Sequence, residues 1–193
     1  MEVCIVYGAL LLKLIKKINM SYKPLPFTYG AMNVAERDAI TGSIVRGSTV
    51  FNTESQMIET WSGRLWVDDR SVEFKIKSTA TAVLGNLMKT DSTGLIELCD
   101  NQAAERQQFC GVIVAITGQD AEGQGGFAAV AHAGKVKALA GGGIQSGRWA
   151  LIDSNAGTYD DTTFPAAGSI GLCMESVSAG SLGIIALQTI ELA

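Results

Sequence analysis

The chain is expected to be mainly β: an antiparallel β-barrel or sandwich with an internal duplication, preceded by a β-hairpin module and an extended N-terminal arm. Three observations lead there. Twenty-two glycines against three prolines in 193 residues write many tight turns between short strands. Helical periodicity is weak through the C-terminal part. One strand-turn-strand grammar also occurs twice between residues 76 and 193. With 47% apolar residues the chain has enough for a real core, which argues against global disorder.

Residues 1–34 form the arm. An apolar run from Val3 to Leu12 is followed by Lys13, Lys16 and Lys17. A signal peptide carries its charge before the apolar run, and a spanning helix needs about 20 apolar residues, so the run fits neither and argues against a membrane span. Three readings stay open for residues 1–19: an arm that docks on a partner, an interfacial membrane helix, or residues upstream of a start at Met20. Met20 to Pro26 then reads as an ordinary extended N-terminus.

Residues 35–75 form the hairpin module. Ser48 to Asn52 and Met57 to Trp61 are rich in β-branched and aromatic residues and flank the polar turn Thr53-Glu54-Ser55-Gln56. Gly63 permits a second reversal before Leu65-Trp66-Val67. Asp68-Asp69-Arg70 reads as an exposed turn, not a carboxylate pair for acid–base work.

Residues 76–193 form the duplicated barrel domain. The first copy reads Gly85 to Gly94 with the turn Asp91-Ser92, an irregular stretch, then Gly111-Val112-Ile113-Val114-Ala115-Ile116. The second reads Gly147 to Gly157 with the turn Asp153-Ser154, another irregular stretch, then Gly171-Leu172-Cys173-Met174-Glu175-Ser176. The closing strands are expected over Phe127–Leu139, with a bend at Ala133-Gly134, and over Leu182–Leu192. Asn101–Gln108 is the best helical piece, at most about two turns.

Two resemblances attach to these residues. The order AERDAI (Ala35–Ile40), a Gly-containing spacer, VFNT (Val50–Thr53) and W-x-G-x-x-W (Trp61–Trp66) resembles a segment of phage tail-fibre and other virion proteins. The duplicated Asp-Ser turn followed by Gly111–Ala115 with Val130–Val136, and by Gly171–Met174 with Leu182–Leu187, resembles the small β-barrel proteins that decorate or cement phage heads. The longer spacer and the hairpin module in front depart from a plain decoration protein and point also to a head fibre on the same barrel.

No residue set points to catalysis, and no cofactor is expected. The single histidine, His132, sits among alanines and reads as a partly buried structural residue, so no Ser-His-Asp or two-His arrangement can be assembled. Gly142 to Gly147 lacks the Lys and Ser/Thr of a phosphate loop, and Gly141-Gly142-Gly143 reads as a flexible connector. Asp153, Asn155, Gly157, Asp160 and Asp161 are the one constellation that suits a hard cation, yet without a bidentate Glu a solvated acidic turn is the better reading and no metal is assigned. Cys4, Cys99, Cys110 and Cys173 include no C-x-x-C pair and read as buried thiols; Cys99 and Cys110 are near enough in sequence to meet across a strand pair, although a reducing cytosol keeps thiols free.

A net charge of −4 with only 18% charged residues argues against nucleic acid as partner. Two functions fit a Gly-rich β-chain of this kind. By the resemblances, the first is a virion structural protein of a tailed phage, made in the host cytoplasm, that binds the major capsid protein on the outer capsid surface as a symmetric homotrimer, with no small-molecule substrate. The second is a tail-fibre or receptor- or carbohydrate-binding module, for which Trp149 and Tyr159 could offer rings to a glycan, although core packing is the commoner fate of such residues. Phe51, Trp61 and Trp66 are the candidate partner contacts.

Overall fold

Fourteen strands in three sheets, with two short helices, make up the described residues of the computed structural model, 26–40 and 44–187. The hairpin sheet is built from β1 (Thr28–Met32), β2 (Thr49–Asn52), β3 (Met57–Trp61) and β4 (Trp66–Val67), in that order. β2 and β3 pair antiparallel across the expected turn, where Asn52 Oδ1 accepts the amides of Glu54 at 2.9 Å and Ser55 at 3.3 Å. β1 lies parallel to β2, so the end of the segment read as an extended arm is a strand of this sheet. Helix α1 (Val34–Asp38) takes up AERD, because Asn33 and Glu36 form a reciprocal capping box at its start.

The first repeat contains β5 (Ser71–Lys75), β6 (Leu87–Thr90), β7 (Ile96–Leu98), α2 (Ala103–Arg106), β8 (Phe109–Thr117) and β9 (Phe127–Ala131), in sheet order β5-β9-β8-β6-β7. The second contains β10 (Gly134–Leu139), β11 (Trp149–Ile152), β12 (Tyr159–Thr162), β13 (Ser169–Cys173) and β14 (Leu182–Leu187), in sheet order β10-β14-β13-β11-β12. The two orders are one permutation, so the duplication seen in the sequence is a duplication of topology.

Neither sheet is a closed barrel. Each instead curls until its edges touch at one parallel bridge, Ile76 with Ile96 and Ala140 with Tyr159, through the bonds Lys77 N to Ile96 O (2.9 Å) and Gly141 N to Tyr159 O (2.8 Å). Two expectations are corrected in detail. Phe127–Leu139 is not one bent strand: it breaks at His132-Ala133, and its second half, β10, opens the second repeat in a different sheet. β5, inside the 35–75 segment, is an edge strand of the first repeat's sheet. Helix α2, one turn long, lies within Asn101–Gln108 and inside the expected limit of about two turns, and the end of the expected strand beyond Leu187 lies outside the described residues.

Strand alternation sorts the apolar side chains into two cores. Met88, Ile113, Val130, Ile76 and Ile96 fill the interior of the first repeat. Leu87, Val112 and Ala131, their strand neighbours, point to the other face and join the core of the second repeat with Val136, Ile152, Tyr159 and Ile185. The central strands of the first sheet are thus buried on both faces. A turn of the second repeat completes the join: Leu87 N donates to Gly157 O at 2.9 Å, Gly157 N to Cys99 O at 2.7 Å, and Asn86 Nδ2 to Gly157 O at 3.0 Å.

Candidate interaction surfaces

The two faces of the hairpin sheet differ sharply. On one, Val50, Asn52, Glu59, Trp61 and Trp66 point toward α1 and the rest of the chain, as the pairings Val50–Glu59 and Trp61–Trp66 require. Trp66 is 7% exposed, with Tyr29 edge-on at 6.4 Å and Trp61 tilted against it at 5.4 Å between ring centroids. Trp61 is half-buried. On the other face Phe51 stands directly opposite Ile58, and these side chains are 38% and 63% exposed. Of the three candidate contacts, then, Phe51 faces outward, Trp61 is half-buried on the opposite face, and Trp66 is enclosed by its own chain.

A carboxylate network lies under that sheet. Asn52 Nδ2 donates to Glu59 Oε1 at 2.7 Å, and the Arg37 guanidinium from α1 pairs with the other Glu59 oxygen. Burial opposes the Arg37 charge, but its hydrogen bonds to Asp38 and Glu59 outweigh that and hold it above its ordinary range. Sequence reasoning missed this set, although a Glu at an inward-facing position of Met57–Trp61, and Asn33 three residues before Glu36, were visible signals.

The hairpin sheet is fastened to the first repeat by Arg64, whose guanidinium carbon lies 4.2 Å from the Phe127 ring centroid while Nη1 reaches Glu73 Oε1 at 3.0 Å. Between module and repeats lies a cavity of about 370 Å3, bordered by Arg37, Glu59, Trp66, Arg70, Lys135 and Lys137. Two of its cations are already matched within the chain, Arg37 to Glu59 and Arg70 to Asp68 at 2.6 Å. The Asp68-Asp69-Arg70 segment is accordingly an internally paired turn.

The acidic residues of the second repeat do not converge. Asp153 Oδ2 accepts from Asn155 Nδ2 at 3.0 Å and Thr158 Oγ1 at 3.1 Å, Asp161 pairs with Arg148 at 3.1 Å, and Gly157 is spent on the inter-repeat join. Among the described residues no three His, Cys, Asp or Glu side chains gather as a metal set. Gly141 is no loose connector, since a Cβ there would lie 1.9 Å from Asp153 Oδ2.

His132 is exposed at the β9–β10 junction, not partly buried, because the strand breaks there and turns it outward. Tyr159 is fully buried, so it cannot offer a ring to a glycan, whereas Trp149 is half-buried. Cys99, Cys110 and Cys173 are free thiols, and burial pushes the first two up to about 12 and Cys173 up to about 11. They are therefore protonated and unreactive at neutral pH. Cys4 lies outside the described residues.

No helix among the described residues is long and apolar enough to cross a membrane. No family model matches the chain, and no curated protein matches it. A solved structure to which it is similar is the head fiber gp8.5 N base of bacteriophage phi29, at 15% identity and a TM-score of 0.44, over 64% of this chain and 98% of that one.

Proposed function

We propose that the chain is a virion structural protein of a tailed phage, a capsid decoration (cement) or head-fibre protein that binds the major capsid protein on the outer surface of the head as a homotrimer. The observation that carries this reading is the outward Phe51–Ile58 pair, set on the very segment whose AERDAI, VFNT and W-x-G-x-x-W order resembles virion proteins. A sheet with one face filled by its own tryptophans and the other presenting large apolar side chains is built to meet a neighbour. Phe51, with Ile58 beside it, makes the contact, and the paired Trp61 and Trp66 on the opposite face hold the sheet rigid beneath it.

Burying one such side chain against the shell contributes roughly 1.5–3 kcal/mol, and a trimer engaging three equivalent points multiplies the effect through avidity. The arm of residues 1–34 and the hairpin module attach the protein, and the duplicated domain projects outward. No residue is assigned a catalytic role.

The test is co-sedimentation of the purified chain with emptied capsids, alongside its mass in solution. The expected result is a trimer that binds capsids without added ligand. A chain that ignores capsids but adheres to host cells overturns the reading in favour of a tail module.

A further inference from the structure

The two repeats meet through a defined contact, whose receiving row recurs only half-covered in the second repeat and one position of whose docking side recurs exposed in the first. In the first repeat Ser71, Ala131, Val112 and Leu87 stand side by side across β5, β9, β8 and β6. Their exposures are 8%, 3%, 0% and 0%, because this row is where the second repeat packs. In the second repeat the same row is Lys135, Ala186, Leu172 and Trp149 across β10, β14, β13 and β11. There Lys135 is exposed and the other three are only half-buried.

The complementary half behaves likewise. Val136 on β10, paired with Ile185, is buried in the joint core that contains Leu87, Val112 and Ala131. Its counterpart Val72 on β5, paired with Val130, is 47% exposed. The first repeat thus leaves exposed, at Val72, the position that the second repeat buries at Val136, while Val130 and Ile96, the counterparts of Ile185 and Tyr159, stay in its own core; the second repeat leaves half-covered the row that the first uses to receive β10.

We propose that the Trp149–Leu172–Ala186 row receives the Val72 side of a second copy of this chain, head to tail, continuing the inter-repeat contact between molecules. Two units whose ends are complementary but different make a heterologous interface, which closes into a ring if the rotation per step permits. Trp149 in place of Leu87 enlarges the apolar area offered to the incoming copy, and Lys135 in place of Ser71 marks the polar rim. This names the self-contact of the oligomer proposed above, and it rests on that reading for the oligomer alone.

The test uses the full chain without capsids, so its failure is separate from a failure of capsid binding. Sedimentation equilibrium is run on the wild type, on Leu172→Asp and on Val72→Asp, with near-ultraviolet dichroism and melting temperature confirming each fold. Each variant is expected to self-associate at least about tenfold more weakly than the wild type. Mixing them is expected to yield a dimer, because each supplies the intact half that the other lacks. If Leu172→Asp fails to fold, Trp149→Gln takes its place. A monomeric wild type, a variant associating like the wild type, or a mixture that stays monomeric overturns the proposal.

Discussion

Gly111 and Gly171 occupy one position in the two repeats, each beside a strand irregularity and each pressed against a carbonyl of the neighbouring strand. A Cβ at Gly111 would lie 2.1 Å from Ala131 O, and one at Gly171 would lie 2.0 Å from Ala186 O. Backbone cannot retreat as a flexible side chain can, so Gly111→Ala and Gly171→Ala should each cost about 1–3 kcal/mol or more. Gly94, at φ 79° with nothing near its Cβ position, should cost only about 1–2 kcal/mol when changed to Ala. Urea midpoints measure the three, and equal losses would remove the close approach as the cause.

Trp66 and Phe51 should separate stability from binding. Truncating the enclosed Trp66 to Ala is expected to destabilise the hairpin module by about 3–5 kcal/mol. Phe51→Ala, on the open face, is expected to leave the melting temperature nearly unchanged and to weaken capsid co-sedimentation. Loss of capsid binding by neither variant would clear this sheet of any attachment role.

Tyr159 is fully buried and its hydroxyl has no hydrogen-bond partner among the described residues. An unmatched buried hydroxyl is a cost of about 1–3 kcal/mol, so Tyr159→Phe should be neutral or raise stability by about 1 kcal/mol. A clear destabilisation in urea unfolding would mean that the hydroxyl has a partner after all.

Glu97 gives the first repeat an acid limb. The Lys77 ammonium donates to it at 2.7 Å, and Lys89, itself nearly buried, lies 3.5 Å away, so the carboxyl sits below its ordinary value of 4.5. A depressed folded value contributes stability that is full above 4.5 and vanishes as pH falls through the folded value. Glu97→Gln should therefore lower stability at neutral pH and flatten the acid-side slope of the urea midpoint. An unchanged slope would place the acid sensitivity elsewhere.

The repeat grammar was legible because it is backbone chemistry. Glycines at 85 and 147, and at 111 and 171, mark places where the chain turns or approaches a neighbour, and Asp91 and Asp153 mark self-bonded turns, so the pattern survives in residue types. Where one repeat stops and the next begins was not legible. Small residues of strand-like pattern continue from Ala128 to Ala138, interrupted by His132, Lys135 and Lys137, and only tertiary pairing shows that β9 and β10 belong to different sheets. The fate of the aromatics was half legible: W-x-G-x-x-W sets Trp61 opposite Trp66, but which face of the hairpin is covered depends on α1 and on the first repeat, which lie elsewhere in the sequence. Which of Trp149 and Tyr159 is buried was not legible for the same reason, since the burial of Tyr159 is decided by the curl that brings β12 beside Ala140.

That curl has a bearing on crowding. Because each five-stranded sheet joins its rims at a single bridge, Ile76–Ile96 or Ala140–Tyr159, part of the flanks of β5, β7, β10 and β12 is taken up within the chain. Each such bridge shortens the run of free backbone donors and acceptors that a stray strand could pair with, and so lowers the risk of cross-β polymerisation.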